Sequence, residues 1–204
     1  YMERLPEWVQ RWNAAERWRS LPEQWQHASG DPPNGTRRDD FPGEATRFSR
    51  RSPHPLRVDA DLKETFARLQ VSPELDSLTL AFASELLVQE ELGRGPEPDL
   101  LALSLSATDF IGHYYGPFSQ ESRHALERLD AELGRFLTQL EERVGERGLL
   151  VVLTADHGVL PLPEWLAAEP APESGCLVPG GRVDARELDA RLQAALDARF
   201  PRGA

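Results

Sequence analysis

Two aspartate and histidine pairs are the residues of this sequence whose types and spacing could do chemistry. Asp109 stands four residues before His113, and Asp156 directly precedes His157. Carboxylate oxygen and neutral imidazole nitrogen are ligands that zinc takes in catalytic sites. A glycine beside each pair allows the backbone to turn tightly around an ion. The four residues therefore predict a site for one or two metal ions.

Each pair directly follows a short apolar run with the composition of a buried strand. Residues 99–105 and 149–154 are these runs, and they are predicted to be parallel strands. Between them, Ser119 can cap a long helix that reaches residue 145 and is expected to cover one face of the sheet. Strand, helix and strand predict a right-handed crossover, and so an α/β fold. Open parallel sheets bind ligands beyond the carboxyl ends of their strands, which is where both pairs stand.

Each pair also has a simpler explanation when it is taken alone. An aspartate after a strand can cap a helix while the neighbouring histidine packs, and an aspartate four residues before a histidine can form a surface ion pair. The presence of both pairs at the same end of one predicted sheet favours metal binding. The other histidines are His27, His54 and His124. They lack such a setting and are interpreted as surface or packing residues.

The start of the chain predicts a helix followed by a long irregular stretch. Pro6 can open a helix in which Trp8 and Trp12 share a face. Four tryptophans lie in the first 26 residues, and we expect them to pack on the protein rather than to bind bases or sugars. Residues 27–61 are rich in Pro, Gly, Arg, Asp and Ser, and are predicted to be mostly irregular.

Two further helices have recognisable start signals. Ser72 followed by Pro73 predicts an N-cap and a first helical residue, with an apolar stripe continuing towards Gly93. Asp184 with Glu187 resembles a capping box, and predicts a helix near the end of the chain.

Length and composition restrict the class of protein. The 204 residues suit one domain, and the net charge of −11 argues against a nucleic-acid scaffold role. No apolar run approaches the roughly 18 residues of a membrane span. The single cysteine, Cys176, excludes an intrachain disulfide and a multi-cysteine zinc module. Any metal must therefore be bound by histidines and carboxylates. The sequence makes no prediction of oligomeric state.

Three segments together resemble the alkaline phosphatase superfamily. They are the stretch from Asp109 to Pro117, the Thr-Ala-Asp-His-Gly run that ends at Gly158, and Leu5-Pro-Glu-Trp-Val followed by Asn13. Within the superfamily the sequence is most similar to the branch of type I phosphodiesterases, nucleotide pyrophosphatases and phosphate-irrepressible bacterial alkaline phosphatases. The resemblance covers most of the chain and is weakest between residues 27 and 51.

The resemblance implies a fold, a reaction and a cofactor. Residues 1–204 would be part of an alkaline-phosphatase-like catalytic domain, a central mostly parallel sheet flanked by helices. Within it, 27–61 would be an insertion or cap-region segment and 72–204 the core part. Two zinc ions would bind a small-molecule phosphate monoester or diester, and a Thr or Ser would attack phosphorus to form a phospho-enzyme. Family members are usually exported, so a periplasmic or secreted location is expected.

The resemblance also assigns roles to the four predicted ligands. Asp109 and His113 match ligands of the zinc on the side of the attacking water and the leaving group. Asp156 and His157 match ligands of the zinc that activates the nucleophile.

The family's nucleophile has no match within this sequence. In the family it precedes the region that matches Tyr1, so the resemblance implies a nucleophile upstream of Tyr1 and no catalytic nucleophile in the chain itself. The last histidine ligand of the family follows the matching region. We therefore expect an internal fragment that supplies metal ligands only, binds zinc weakly and has no turnover alone.

Several alternatives remain open at this stage. Ser106 and Thr108 lie close to Asp109, but strand-end hydrogen bonding explains them better than a nucleophilic role. A related metal-dependent sulfatase or phosphomutase would use the same ligands. A protein of another class, an inactive metal-binding or structural homologue, would also keep them.

Overall fold

The computed structural model describes residues 4–27, 37–58, 61–168 and 181–200. The chain divides into two compact units, one ending at Leu160 and the other beginning at Pro161. No helix in the described parts of the chain is long and apolar enough to cross a membrane.

Three sequence predictions fall outside the described residues. Tyr1, upstream of which the nucleophile is expected, is one of these positions. Cys176 and residues 28–36 and 59–60 of the predicted irregular stretch are the others. The position of the nucleophile therefore stays a prediction. The resemblance to the family assigns this role to none of the described residues.

The first unit is mainly helical. Its helices are α1 (Glu7–Ala14), α2 (Leu62–Gln70), α3 (Glu74–Gln89), α4 (Ala107–Tyr115) and α5 (Gln120–Val144). Short 3₁₀ turns occur at Arg17–Ser20 and Glu146–Gly148. The two-residue strands β1 (Gln24–Trp25) and β2 (His54–Pro55) pair antiparallel. The second unit contains α6 (Pro163–Ala168) and α7 (Ala185–Arg199).

Helix α5 is the longest element, and its predicted start is confirmed. Ser119 has an extended backbone, and its hydroxyl oxygen accepts a hydrogen bond from the N–H of Ser122 at 3.0 Å. The same device begins α7, where the Asp184 carboxylate accepts from the N–H groups of Arg186 and Glu187. In both helices a side-chain acceptor satisfies N–H groups that have no partner within the helix.

Helix α3 begins at Glu74, one residue after the predicted Pro73, and its predicted cap is wrong. The Ser72 hydroxyl donates to the carbonyl of Leu69 at 2.9 Å, so it closes the turn after α2 instead of accepting from α3. Helix α3 then packs along α5, with Leu80, Ala83 and Leu87 buried against Phe136. This contact holds the two helices together through apolar burial.

A second core surrounds α4. Ile111 and Tyr115 of that helix are buried against Trp25, Leu69 and other residues of the same cluster. The tryptophans near the start of the chain pack on the protein, as predicted. Trp8 and Trp12 contact the ring of Phe82 with centroids 5.2 and 5.3 Å away.

The predicted parallel strands are absent from the described residues, and that prediction is wrong for this structure. Residues 99–105 and 149–154 belong to no sheet, and the β1–β2 pair is the only sheet within the described ranges. Helix α5 therefore packs on α3 and α4 rather than on a sheet. Leu100 and Leu150 are 91% and 88% exposed. A strand obtains its backbone hydrogen bonds from a neighbouring strand, and none of the described residues supplies one to these runs.

Between residues 27 and 61 the described backbone is irregular except for β2. Most of the buried side chains in this stretch are polar, which the sequence did not predict. They are those of His27, Arg37, Glu44 and His54. The apolar part of this burial comes from Leu56, which belongs to the core around α4.

Candidate metal centre

Helix α4 positions the first predicted pair. Its first residue, Ala107, donates its N–H to the carboxylate of Asp76 on α3 at 3.1 Å, which fixes the start of the helix. Asp109 and His113 then lie one turn apart on the same face. His113 Nε2 is 3.4 Å from Asp109 Oδ1. The opposite face of α4 is buried in the core, and this packing fixes the position of both residues.

The second predicted pair lies in the loop that follows residues 149–154. His157 Nε2 is 3.7 Å from Asp109 Oδ1 and also 3.7 Å from Asp156 Oδ2. Val159 of the same loop runs beside α4, because a Cβ built on Gly112 would lie 3.5 Å from its Cγ2 atom. The structure therefore brings the two pairs together, and Asp109 lies between the two imidazoles.

We call these four residues the Asp109 centre, and their electrostatics suit a cation. His157 Nδ1 lies 3.0 Å from the carbonyl oxygen of Gly158, which can only accept, so Nδ1 carries a proton. This hydrogen bond, followed by the charges of Asp156 and Asp109, raises the pKa of His157. In the neutral ring the lone pair is then on Nε2, which faces Asp109 and Asp156.

The residues present fit a zinc ion. Asp109 Oδ1 is a buried oxygen without a hydrogen-bond partner, although it lies between two imidazole rings. The neighbouring Thr108 hydroxyl oxygen is also buried without a partner. Two carboxylates and two imidazoles form a donor set that zinc accepts. The side chains are 43% to 88% exposed, so the centre opens to solvent.

A second histidine and carboxylate group was missed by sequence reasoning. His27, His54 and Glu121 each offer one donor atom, and these atoms lie within 4.8 Å of one another. We call these residues the Glu121 cluster. Among the described residues it is the only group of three or more such side chains whose donor atoms all lie this close together. The donor atoms of the Asp109 centre are more widely spaced. His27 and His54 are both buried, so of the two interpretations, surface or packing residues, the structure supports packing.

The overall fold has a close counterpart among solved structures. The crystal structure of wild-type alkaline phosphatase PafA superposes with a TM-score of 0.82 and 24% sequence identity. The match covers 98% of this chain and 37% of the PafA chain. This likeness confirms the predicted class, which is part of an alkaline-phosphatase-like α/β fold.

The family is shown by the sequence itself. Residues 5–177 match the model of the type I phosphodiesterase / nucleotide pyrophosphatase family, and the chain belongs to that family. The predicted resemblance is thereby confirmed.

Two of the similar proteins are named alkaline phosphatases. PhoV of Synechococcus elongatus is 32% identical over 193 residues, which cover 90% of this chain and 32% of PhoV. PhoK of a Sphingomonas species is 43% identical over 95 residues, which cover 47% of this chain and 17% of PhoK. The chain therefore spans about a third of the length of PhoV.

Proposed function

We propose that this chain is part of a metal-dependent hydrolase of small-molecule phosphate esters, and that the Asp109 centre holds two zinc ions. The observation that carries the proposal is the unpartnered Oδ1 atom of Asp109, which lies between the imidazoles of His113 and His157. The family and the alkaline phosphatase relatives support phosphate-ester hydrolysis as the reaction.

Within this proposal the four side chains divide into two ligand pairs. Asp109 and His113 hold the ion on the side of the leaving group, and Asp156 and His157 hold the ion beside the nucleophile. The bound ions supply positive charge that stabilises the charge developing on the phosphoryl oxygens. Helix α4 contributes by fixing Asp109 and His113 rigidly, because its opposite face is buried in the core.

The reaction requires groups beyond these four. The proposal assigns the attacking Thr or Ser to a segment of the whole protein upstream of Tyr1. Ser106 is not assigned this role, since its hydroxyl is 2.9 Å from that of Ser104 and is engaged there. A location in the periplasm or outside the cell is part of the same proposal, and cell fractionation tests it.

The test uses the full-length protein and the substitution Asp109→Asn. We expect zinc content, measured by mass spectrometry after desalting, to fall, and hydrolysis of p-nitrophenyl phosphate and bis-p-nitrophenyl phosphate to fall with it. Asp130→Asn is the matched control, because Asp130 is an exposed aspartate on α5. Normal zinc content and activity in Asp109→Asn would contradict the proposal.

The same assays distinguish the alternatives. Faster hydrolysis of p-nitrophenyl sulfate than of either phosphate ester would identify a sulfatase. Zinc binding without hydrolysis of any of the three esters would identify a phosphomutase or an inactive homologue.

A further inference from the structure

The Glu121 cluster joins three separate segments of the chain in the interior of the first unit. His27 follows β1, His54 lies in β2, and Glu121 lies in the first turn of α5. Their side chains are 4%, 5% and 1% exposed. Three groups that can each carry charge are therefore almost fully removed from water, which is costly unless each one is paired.

The distances within the cluster fit a bound ion. Glu121 Oε1 is 3.3 Å from His27 Nε2 and 3.2 Å from His54 Nε2. Ligand atoms bound at 2.0–2.1 Å to a tetrahedral zinc ion are about 3.3 Å apart. The two measured separations match that spacing, and all three donor atoms face one another.

The proton positions at His54 leave its inner nitrogen without a partner. His54 Nδ1 lies 3.0 Å from the carbonyl oxygen of Ser49, which can only accept, so Nδ1 carries a proton. In the neutral ring, Nε2 then presents a lone pair to the Glu121 carboxylate. His54 Nε2 is 3.2 Å from Glu121 Oε1 but is not aligned for a hydrogen bond, and it is buried without a hydrogen-bond partner. The other carboxylate oxygen, Glu121 Oε2, is also buried without a partner. A cation bound by His54 Nε2 and the Glu121 carboxylate would satisfy the nitrogen.

Glu121 carries the negative charge in this region. Burial alone would raise the pKa of Glu121, but the nearby imidazoles of His27 and His54 outweigh burial and lower it to about 2. The neighbouring Glu44 behaves in the opposite way. Burial and the charge of Glu121 raise the pKa of Glu44 to about 8, against the effect of Arg37. The cluster combines this one carboxylate with two imidazoles.

We propose that His27, His54 and Glu121 form a second metal site, which binds a transition-metal ion such as Zn²⁺ and is separate from the Asp109 centre. Ca²⁺ and Mg²⁺ prefer oxygen ligands, so a site with two nitrogen donors does not suit them. The three side chains are almost fully buried, which favours a structural role over a catalytic one. The ion ties the β1–β2 pair to the first turn of α5. This proposal does not depend on the proposed hydrolase activity.

His124 lies beside the cluster but is not a ligand. Its Nδ1 accepts a hydrogen bond from Trp25 Nε1 at 2.9 Å, so the proton of the neutral ring is on Nε2. Burial, followed by the positive charge of Arg128, lowers the pKa of His124. His124 is therefore a matched control for the two histidine ligands.

The experiment uses the full-length protein with the Asp109 centre removed by Asp109→Asn, His113→Gln, Asp156→Asn and His157→Gln. This background variant is stripped with a chelator, incubated with Zn²⁺ and desalted, and its zinc content is measured. We expect about one zinc ion per chain from the single proposed site, and a rise in melting temperature on zinc addition. Co²⁺ in place of Zn²⁺ should give the intense visible absorption of a tetrahedral site.

Further substitutions in the background variant assign the ion to the cluster. His54→Gln should remove the zinc and the Co²⁺ absorption, whereas His124→Gln should keep both. Retention of zinc in a folded His54→Gln protein would overturn the proposal. If His54→Gln does not fold, the zinc content and melting temperature of the background variant test the proposal without it. A folded background variant whose zinc content is zero and whose melting temperature does not respond to Zn²⁺ would equally overturn it.

Discussion

The Asp109 centre and the Glu121 cluster combine the same side-chain chemistry in different surroundings. Asp109 and His157 are about half exposed and meet at the surface, beside a loop. His54 and Glu121 are almost fully buried between a strand and a helix. Open metal sites that keep a position for substrate are typical of catalysis, and closed sites are typical of structural metals. The difference in burial agrees with the two proposals, in which the first group serves the reaction and the second serves stability.

The largest expected effect separates the two groups by activity. In the full-length protein, His157→Gln should lower kcat on a phosphate ester by about a thousandfold, because a metal contributes several kcal/mol to the transition state. In the presence of a chelator its melting temperature should change little, since the side chain is exposed. Steady-state kinetics and a thermal melt measure both quantities. A variant with normal kcat would remove the distinction between the two groups.

The next effect separates them by stability. Glu121→Gln should lower the free energy of unfolding by about 3 kcal/mol or more, because it leaves two imidazoles buried without their carboxylate. Glu127→Gln is the matched control on the same helix. It breaks only the exposed ion pair with Arg123 and should cost less than about 1 kcal/mol. Urea denaturation of both variants measures the difference, and equal losses would contradict a special role for Glu121.

The pH dependence of stability should show the burial of carboxyl groups beside the cluster. The pKa of Glu44 is raised from 4.5 to about 8 in the folded chain, so the unfolded chain loses this proton first as the pH rises. The free energy of unfolding should therefore fall between pH 4.5 and 8. The lowered pKa of Glu121 acts in the other direction, since its stabilisation is lost as the pH falls from 4.5 towards 2.

Glu44→Gln tests this expectation. In the presence of a chelator, urea denaturation at pH 5 and pH 8 should show a smaller loss of stability in the variant than in the unmodified protein. The same decline in both proteins would show that Glu44 is not responsible. Glu127→Gln again serves as the control, because its side chain is exposed.

The smallest effect concerns the support of the cluster. Trp25→Phe keeps an aromatic ring against Tyr115 but removes the hydrogen bond to His124 Nδ1, which is 2.9 Å long. One buried hydrogen bond contributes about 1 kcal/mol. Phenylalanine also leaves part of the buried indole volume unfilled, so we expect a loss of at least that size in the free energy of unfolding. Zinc content in the background variant described above should be unchanged. Loss of zinc would show that Trp25 positions the ligands.

The two groups also differ in how far sequence could predict them. Asp109 and His113 are four residues apart on one helix, so local spacing alone suggested their proximity. His27 and Glu121 are separated by 94 residues, and only the packing of α5 on the β1–β2 pair brings them together. The buried histidine beside prolines, His54, carried no recognisable signal.

The same contrast explains the fold. The starts of α5 and α7 were predictable because Ser119 and Asp184 act on N–H groups within three residues. The strands expected at 99–105 and 149–154 depended on partners elsewhere in sequence, and an apolar run does not identify its partner. The likeness to PafA confirmed the fold class, although the described residues do not form those strands.

The exposed run at 149–154 has a consequence for handling this chain. Its leucines and valines are followed by Thr154, and the run contains neither a charge nor a proline. Leu150, Val152 and Leu153 are each at least 80% exposed. Short apolar, β-prone segments of this kind template intermolecular strand pairing, and a charge placed within them interrupts it. Preparations of the 204-residue chain should therefore self-associate with increasing concentration, and Val152→Lys should shift the onset of light scattering to higher concentration.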